Sequence, residues 1–126
     1  MARALRDSAD HSSEQALRDA LSRSYYAVFH AGCVLIGKGF GNHSGFLTEL
    51  RGVLGDDADG QSVIDKVEEI RNLRIQADYI SDAVERFYGG KLDKFRDAAV
   101  NGLKLGQEVY GVLVNRIAAK NERAES

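Results

Sequence analysis

Not one of the 126 residues is proline. Proline stops a helix because it lacks the backbone N–H and its ring clashes with the preceding turn, so a chain without it is free to run in long helices. The breaks fall to 13 glycines, most of them grouped: Gly37, Gly39, Gly41 and Gly45, then Gly52, Gly55 and Gly60, then the pair Gly89-Gly90. Between the groups the apolar residues do not alternate strictly, so no strand, repeat or low-complexity segment is predicted.

The helices follow from spacing. Ser12 with Gln15 forms a capping-box pattern and predicts a helix start. Leu17, Leu21, Ser24, Val28, Ala31 and Leu35 then recur at helical intervals, widened by Tyr25, Phe29, Gly32 and Ile36, and predict a helix running to about Ile36. Residues before Asp10 are expected to add at most a short separate helix. A second helix is predicted from near Ser44, as its cap, to Gly55 through Phe46, Leu47, Leu50, Val53 and Leu54. Residues 56–60 read as a loop. A third helix carries Val63, Val67, Ile70, Leu73, Ala77 and Ile80 on one face. The last begins after Gly90 and turns Leu92, Phe95, Ala99, Leu103, Gly106, Val109, Leu113 and Ile117 inward. The expectation is a single all-α domain over 1–126, an up-and-down bundle of four to five helices. Its core covers about 12–118 and a charged tail, 119–126, frays.

Composition narrows the class. The apolar share of 44% and charged share of 29% suit a globular chain rather than a disordered or membrane-inserted one. No segment approaches the roughly 20 apolar residues that span a bilayer, and the acidic turn at Asp7 argues against a secretory signal peptide. The expected location is cytoplasmic, with no membrane partner. Cys33 is the sole cysteine, so no internal disulfide or Cys-based zinc site is expected, and it reads as a small core residue. A net charge of −2 disfavours a broadly basic nucleic-acid binder while leaving room for a local basic patch.

Several chemistries are excluded by pattern. No glutamate stands three residues before a histidine, as a ferritin-like di-metal site requires, and the zincin, P-loop and nucleophile-elbow motifs are missing. Gly37-Lys38-Gly39-Phe40-Gly41 follows a helix instead of a strand, which makes it a linker and not a dinucleotide loop. No metal or cofactor is expected.

Three histidines exist: His11, His30 and His43. His30 lies one turn after Tyr26, at the edge of the apolar stripe. It reads either as a half-buried hydrogen-bonded residue or as a proton donor and acceptor. His43 is either loop architecture or part of a site. The densest polar cluster is Arg71-Asn72-Leu73-Arg74-Ile75-Gln76-Ala77-Asp78-Tyr79. Arg71, Arg74 and Asp78 share one flank of the third helix, and Asn72, Gln76 and Tyr79 the other. Arg74 and Asp78 at i,i+4 read as a surface ion pair; alternatively, two guanidiniums one turn apart bind phosphate, whose oxygens match arginine's planar fork.

Ser22-Arg23-Ser24-Tyr25-Tyr26-Ala27-Val28-Phe29-His30-Ala31, His43-Ser44-Gly45 and Arg74-Ile75-Gln76-Ala77-Asp78-Tyr79, in that order, resemble the HEPN superfamily (higher eukaryotes and prokaryotes nucleotide-binding domain), especially its small stand-alone prokaryotic members. The likeness spans roughly residues 12–118. It implies an all-α homodimer, often encoded with a small nucleotidyltransferase partner in toxin–antitoxin or defence modules. Many relatives in that superfamily are metal-independent endoribonucleases in which an arginine is followed four to six residues later by a histidine on a late helix. Here no histidine follows Arg71 or Arg74. The literal Arg–His spacings fall elsewhere, at Arg6–His11 and, over two turns of one helix, at Arg23–His30.

Three functions are therefore expected as alternatives. The first is a protein that binds a nucleotide, RNA or a nucleotidyltransferase through Arg71, Arg74, Asp78 and Tyr79, with Tyr26, Arg23, His30 and His43 alongside. The second is an endoribonuclease toxin whose catalytic histidine is His30 or His43. The third is a non-catalytic dimeric helical adaptor. Tyr26 and Tyr79 are also candidates for modification by a partner. The first reading requires the arginine pair and the imidazoles to converge on a common hollow.

Overall fold

Five helices follow one another: α1 Ala2–Ile36, α2 His43–Leu54, α3 Ala58–Asp78, α4 Ile80–Phe87 and α5 Leu92–Glu125. The computed structural model describes the backbone of residues 2–125 and the side chains of residues 14–124. Among the described residues there is no strand, and the chain is the all-α helical bundle that its periodicity predicts.

Four boundaries differ from expectation. Residues 56–60 are not all loop: Asp57 caps α3 by accepting the Gly60 N–H at 2.8 Å, so the helix already begins at Ala58. Ser12 does not start a helix; α1 already begins at Ala2 and passes through it unbroken. Ala2, Arg3, Ala4, Leu5 and Arg6 are strong helix formers, so the segment ahead of the capping pattern propagates the same helix and leaves no separate one. The side chains of His11 and Ser12 lie outside those described. At the other end, α5 stays helical to Glu125, so the charged tail continues the helix. The third helix does not carry Ile80. Tyr79, at φ −133° and ψ 51°, leaves helical geometry and α4 begins after it. The break turns Ile80 and Val84 onto a core with Leu21, Leu73, Ala77, Phe95 and Ala99. Arg18 Nε donates to Ala77 O at 3.1 Å, occupying one of the carbonyls freed at the end of α3.

The three long helices alternate in direction. Gly102 of α5 lies against Leu21 of α1, Gly106 against Ser24, and Lys120 Nζ donates to Leu35 O at 2.9 Å, so α1 and α5 run the same way. Leu73 meets Gly102 while Ile70 meets Gly106, so α3 runs the other way. Gly102 and Gly106 let α5 pack closely on α3 and α1, since a Cβ at either position would displace Leu73 Cδ1 or Ser24 Oγ respectively. A larger core cluster joins Val28, Leu35, Phe46, Leu50, Ile64, Val67, Ile70, Val109 and Leu113. Each fully buried side chain of this size adds about 1.5–3 kcal/mol of burial free energy.

The short helix α2 departs from simple alternation, and this places the site. After Gly37, which closes α1 at φ 97°, the chain runs back along α1 through residues 38–42. His43 lands beside Tyr25, Phe46 beside Phe29 and Gly32, and Val53 beside Leu35, so α2 advances in the same sense as α1. From Tyr25 to Ile36 is roughly 16 Å of helix rise, and six extended residues cover about 20 Å. The glycine-rich segment is long enough for this return.

Candidate functional site

The return segment, α1 and α3 enclose an open hollow of about 330 Å³ lined by Tyr25, Tyr26, Phe29, Phe40, Gly41, Asn42, His43, Arg71 and Arg74. A second hollow, of about 270 Å³, shares Arg71 and His43 with the first and is lined in addition by Ser44, Leu47, Glu68 and Asn72. Arg71 and His43 are therefore the wall common to an aromatic chamber and a polar one.

His43 is the first residue of α2, held there by the cap before it. Asn42, not Ser44, is that cap: it sits in extended geometry and its Oδ1 accepts the Gly45 N–H at 2.7 Å. Asparagine caps about as well as serine, and the assignment frees Ser44 to face the polar chamber. Tyr25 Oη lies 2.7 Å from His43 Nδ1. Burial pushes the Tyr25 hydroxyl above its ordinary range, against the pull of Arg71 and Arg74, so it remains a neutral phenol. Burial also holds His43 below the usual imidazole range, helped by the Arg71 charge and opposed by Glu68.

Arg74 is gripped by two tyrosines. Its Cζ lies 4.7 Å from the Tyr26 ring centre and 5.2 Å from that of Tyr25, and its Nη2 donates to Tyr26 Oη at 2.8 Å. Cation–π contacts are worth about 0.5–1 kcal/mol at exposed sites and more when desolvated. The clamp fixes the guanidinium without cancelling its charge. Its Nε is buried without a hydrogen-bond partner. Among the described residues neither Arg71 nor Arg74 is ion-paired, so the expected Arg74–Asp78 pair does not form.

The expected site residues thus divide. His43, Arg71, Arg74 and Tyr26 meet at one place. His30 does not: it is exposed and lines neither chamber. Asp78 is exposed at the end of α3, and Tyr79, 69% exposed, marks the α3–α4 break; neither lines a chamber. Arg23 faces a different groove, between α1 and α5, with Ser24, Ala27, Leu103, Gly106, Gln107 and Tyr110. On the opposite flank of α3, Asn72 lines the polar chamber while Gln76 accepts the Tyr88 hydroxyl at 2.6 Å. Sequence reasoning missed Phe29, Phe40, Asn42 and Glu68 as lining residues. Phe40 was detectable as the one aromatic within the glycine run, too isolated there to serve a helix face.

Among the described residues no group of three or more His, Cys, Asp or Glu side chains is placed to hold a metal ion, and no helix is long and apolar enough to cross a membrane. Cys33 is half-buried beside the larger core, and burial pushes its thiol up. No family model, curated protein or solved structure matches the chain.

Chemically, the aromatic chamber combines two unpaired cations, a neutral imidazole and ring faces. Guanidinium groups bind oxyanions through charge-assisted hydrogen bonds. Aromatic faces stack nucleobases, at about 1–3 kcal/mol per base.

Proposed function

We propose that this chain is a HEPN-type protein that binds a nucleotide or RNA in the chamber formed by Tyr25, Tyr26, Phe40, His43, Arg71 and Arg74. The supporting observation is the arrangement of two guanidiniums, neither in an ion pair with a carboxylate, among four aromatic rings. Phosphate oxygens are held at Arg71 and Arg74, and a base lies against the rings. The resemblance to the superfamily adds the wider setting to the proposal: a homodimer in the cytoplasm, paired with a small nucleotidyltransferase in a toxin–antitoxin or defence module.

Binding is favoured over RNA cleavage by the state of His43. A buried phenol seeks an acceptor for its proton, and the neutral Nδ1 of His43 is 2.7 Å from Tyr25 Oη. With Tyr25 donating, the imidazole carries its proton on Nε2 and has no free lone pair with which to take the proton of a ribose 2′-hydroxyl. His43 then acts as a further donor beside Arg71.

The test is fluorescence anisotropy with a labelled single-stranded RNA, together with an assay of cleavage without added metal. Wild-type protein binds without cutting, Arg71→Ala weakens binding, and affinity falls as salt rises because phosphate contacts release counterions. Metal-independent cleavage that His43→Ala abolishes would establish the endoribonuclease alternative. Binding indifferent to both Arg71→Ala and salt would reject the site.

A further inference from the structure

We infer that Glu68 makes this site select an internal phosphodiester of a single-stranded chain, with one nucleoside on each side of the Arg71–His43 wall, over the terminal phosphate of a mononucleotide. The inference rests on the nucleotide-binding reading above and deepens it.

Two observations carry it. The first is shape: the cationic wall is flanked by two chambers of comparable size, about 330 and 270 Å³. A mononucleotide with its phosphate on Arg71 occupies one and leaves the other to water. A dinucleotide step, with the phosphate over the wall, occupies both.

The second is charge. Arg71 and Arg74 contribute two positive charges, Glu68 lines the polar chamber beside Arg71, and His43 is held neutral by burial. Glu68 offsets one of the two positive charges, leaving a net charge of +1, and so reduces the advantage that a doubly charged phosphate would otherwise have over a singly charged phosphodiester. A phosphomonoester carries about −1.5 to −2 at neutral pH, so the same carboxylate repels it more strongly than it repels a phosphodiester. Glu68 accepts hydrogen bonds only, and Asn72 and Ser44 both donate and accept. The polar chamber therefore suits a nucleoside that offers amino or hydroxyl protons, such as a cytosine amino group, for which a carboxylate is a fitting acceptor. Both nucleosides must be unstacked to enter, so the ligand is single-stranded.

Isothermal titration of the full chain with adenylyl-(3′→5′)-cytidine, adenosine 5′-monophosphate and inorganic phosphate tests this. The dinucleoside monophosphate is expected to bind about tenfold tighter than the mononucleotide, equivalent to one or two added hydrogen bonds at about 1.4 kcal/mol per factor of ten. In Glu68→Gln that preference is expected to fall by about the same factor, with the mononucleotide binding more tightly than to wild type. Glu68 is solvent-exposed, so the variant folds, which far-UV circular dichroism checks. Asn72→Ala reports on the same chamber without changing charge and lowers dinucleotide affinity alone. Equal affinities for the two nucleotides, both lost in Arg71→Ala, would overturn the inference and leave the nucleotide-binding reading standing. No binding of either nucleotide would overturn both.

Discussion

Replacing Tyr25 by phenylalanine removes one oxygen from the centre of the site and tests the direction of the bond on which its chemistry turns. The ring stays, and with it the core packing of a residue only 5% exposed. The substitution deletes the 2.7 Å hydrogen bond to His43 Nδ1. A neutral hydrogen bond of this kind is worth about 0.5–1.5 kcal/mol net. If Tyr25 donates, the bond stabilises only neutral His43, because protonated Nδ1 has no lone pair to offer. Removing it therefore raises the His43 pKa. Folding stability falls by about 1–2 kcal/mol, since Nδ1 is also left without its partner. Two-dimensional NMR of the imidazole across a pH titration reads the first quantity and urea denaturation the second. An unchanged or lowered His43 pKa in Tyr25→Phe would refute the reasoning: Nδ1–H would then be the donor, the lone pair would sit on Nε2, and the ring would be available as a base.

Three further outcomes follow from the geometry. Because folded His43 titrates below its unfolded value, the unfolded chain takes up the proton first; stability is full above about pH 6.5 and declines as pH falls below it. Urea midpoints between pH 5 and 8 should show this decline, reduced in His43→Gln; an identical slope in the variant would place its origin elsewhere. Gly106→Ala and Gly102→Ala force a methyl onto Ser24 and Leu73 and should each cost about 1–3 kcal/mol by overpacking. Gly111→Ala, at an exposed helical position with open space around it, should gain about 0.5–1 kcal/mol; thermal melts that rank the three alike would contradict the packing. Asn42→Ala removes the α2 cap and should cost about 0.5–2 kcal/mol in chemical denaturation, while Ser44→Ala should leave stability nearly unchanged.

Much of this fold is legible in the sequence because long helices bury their faces at a fixed period. Val63, Val67, Ile70, Leu73 and Ala77 are all buried, as the spacing requires, and glycines 37, 55, 89 and 90 end or separate helices through positive φ. Less legible is where a helix begins when its cap is preceded by good helix formers, as at Ser12. The break at Tyr79 is equally silent, since no glycine or proline marks it and only the packing of Ile80 and Val84 requires it.

For the site, helical phase alone puts Arg71 and Arg74 on a common flank, and the i,i+4 relation puts Tyr26 near His30. Phase cannot say that Tyr26 turns to Arg74 of another helix while His30 stays in solvent. Nor does local sequence reveal that the glycine-rich segment doubles back along α1, the one feature that carries His43 to Tyr25 and opens both chambers.

The most direct test is an NMR titration of the full chain with adenosine 5′-monophosphate, following the side-chain signals of Arg71, Arg74 and Arg23 and the rings of His43 and His30. Arg71, Arg74 and His43 should shift together with one dissociation constant while Arg23 and His30 stay still. Shifts centred on Arg23 or His30, or none at any of the five, would contradict the proposed site.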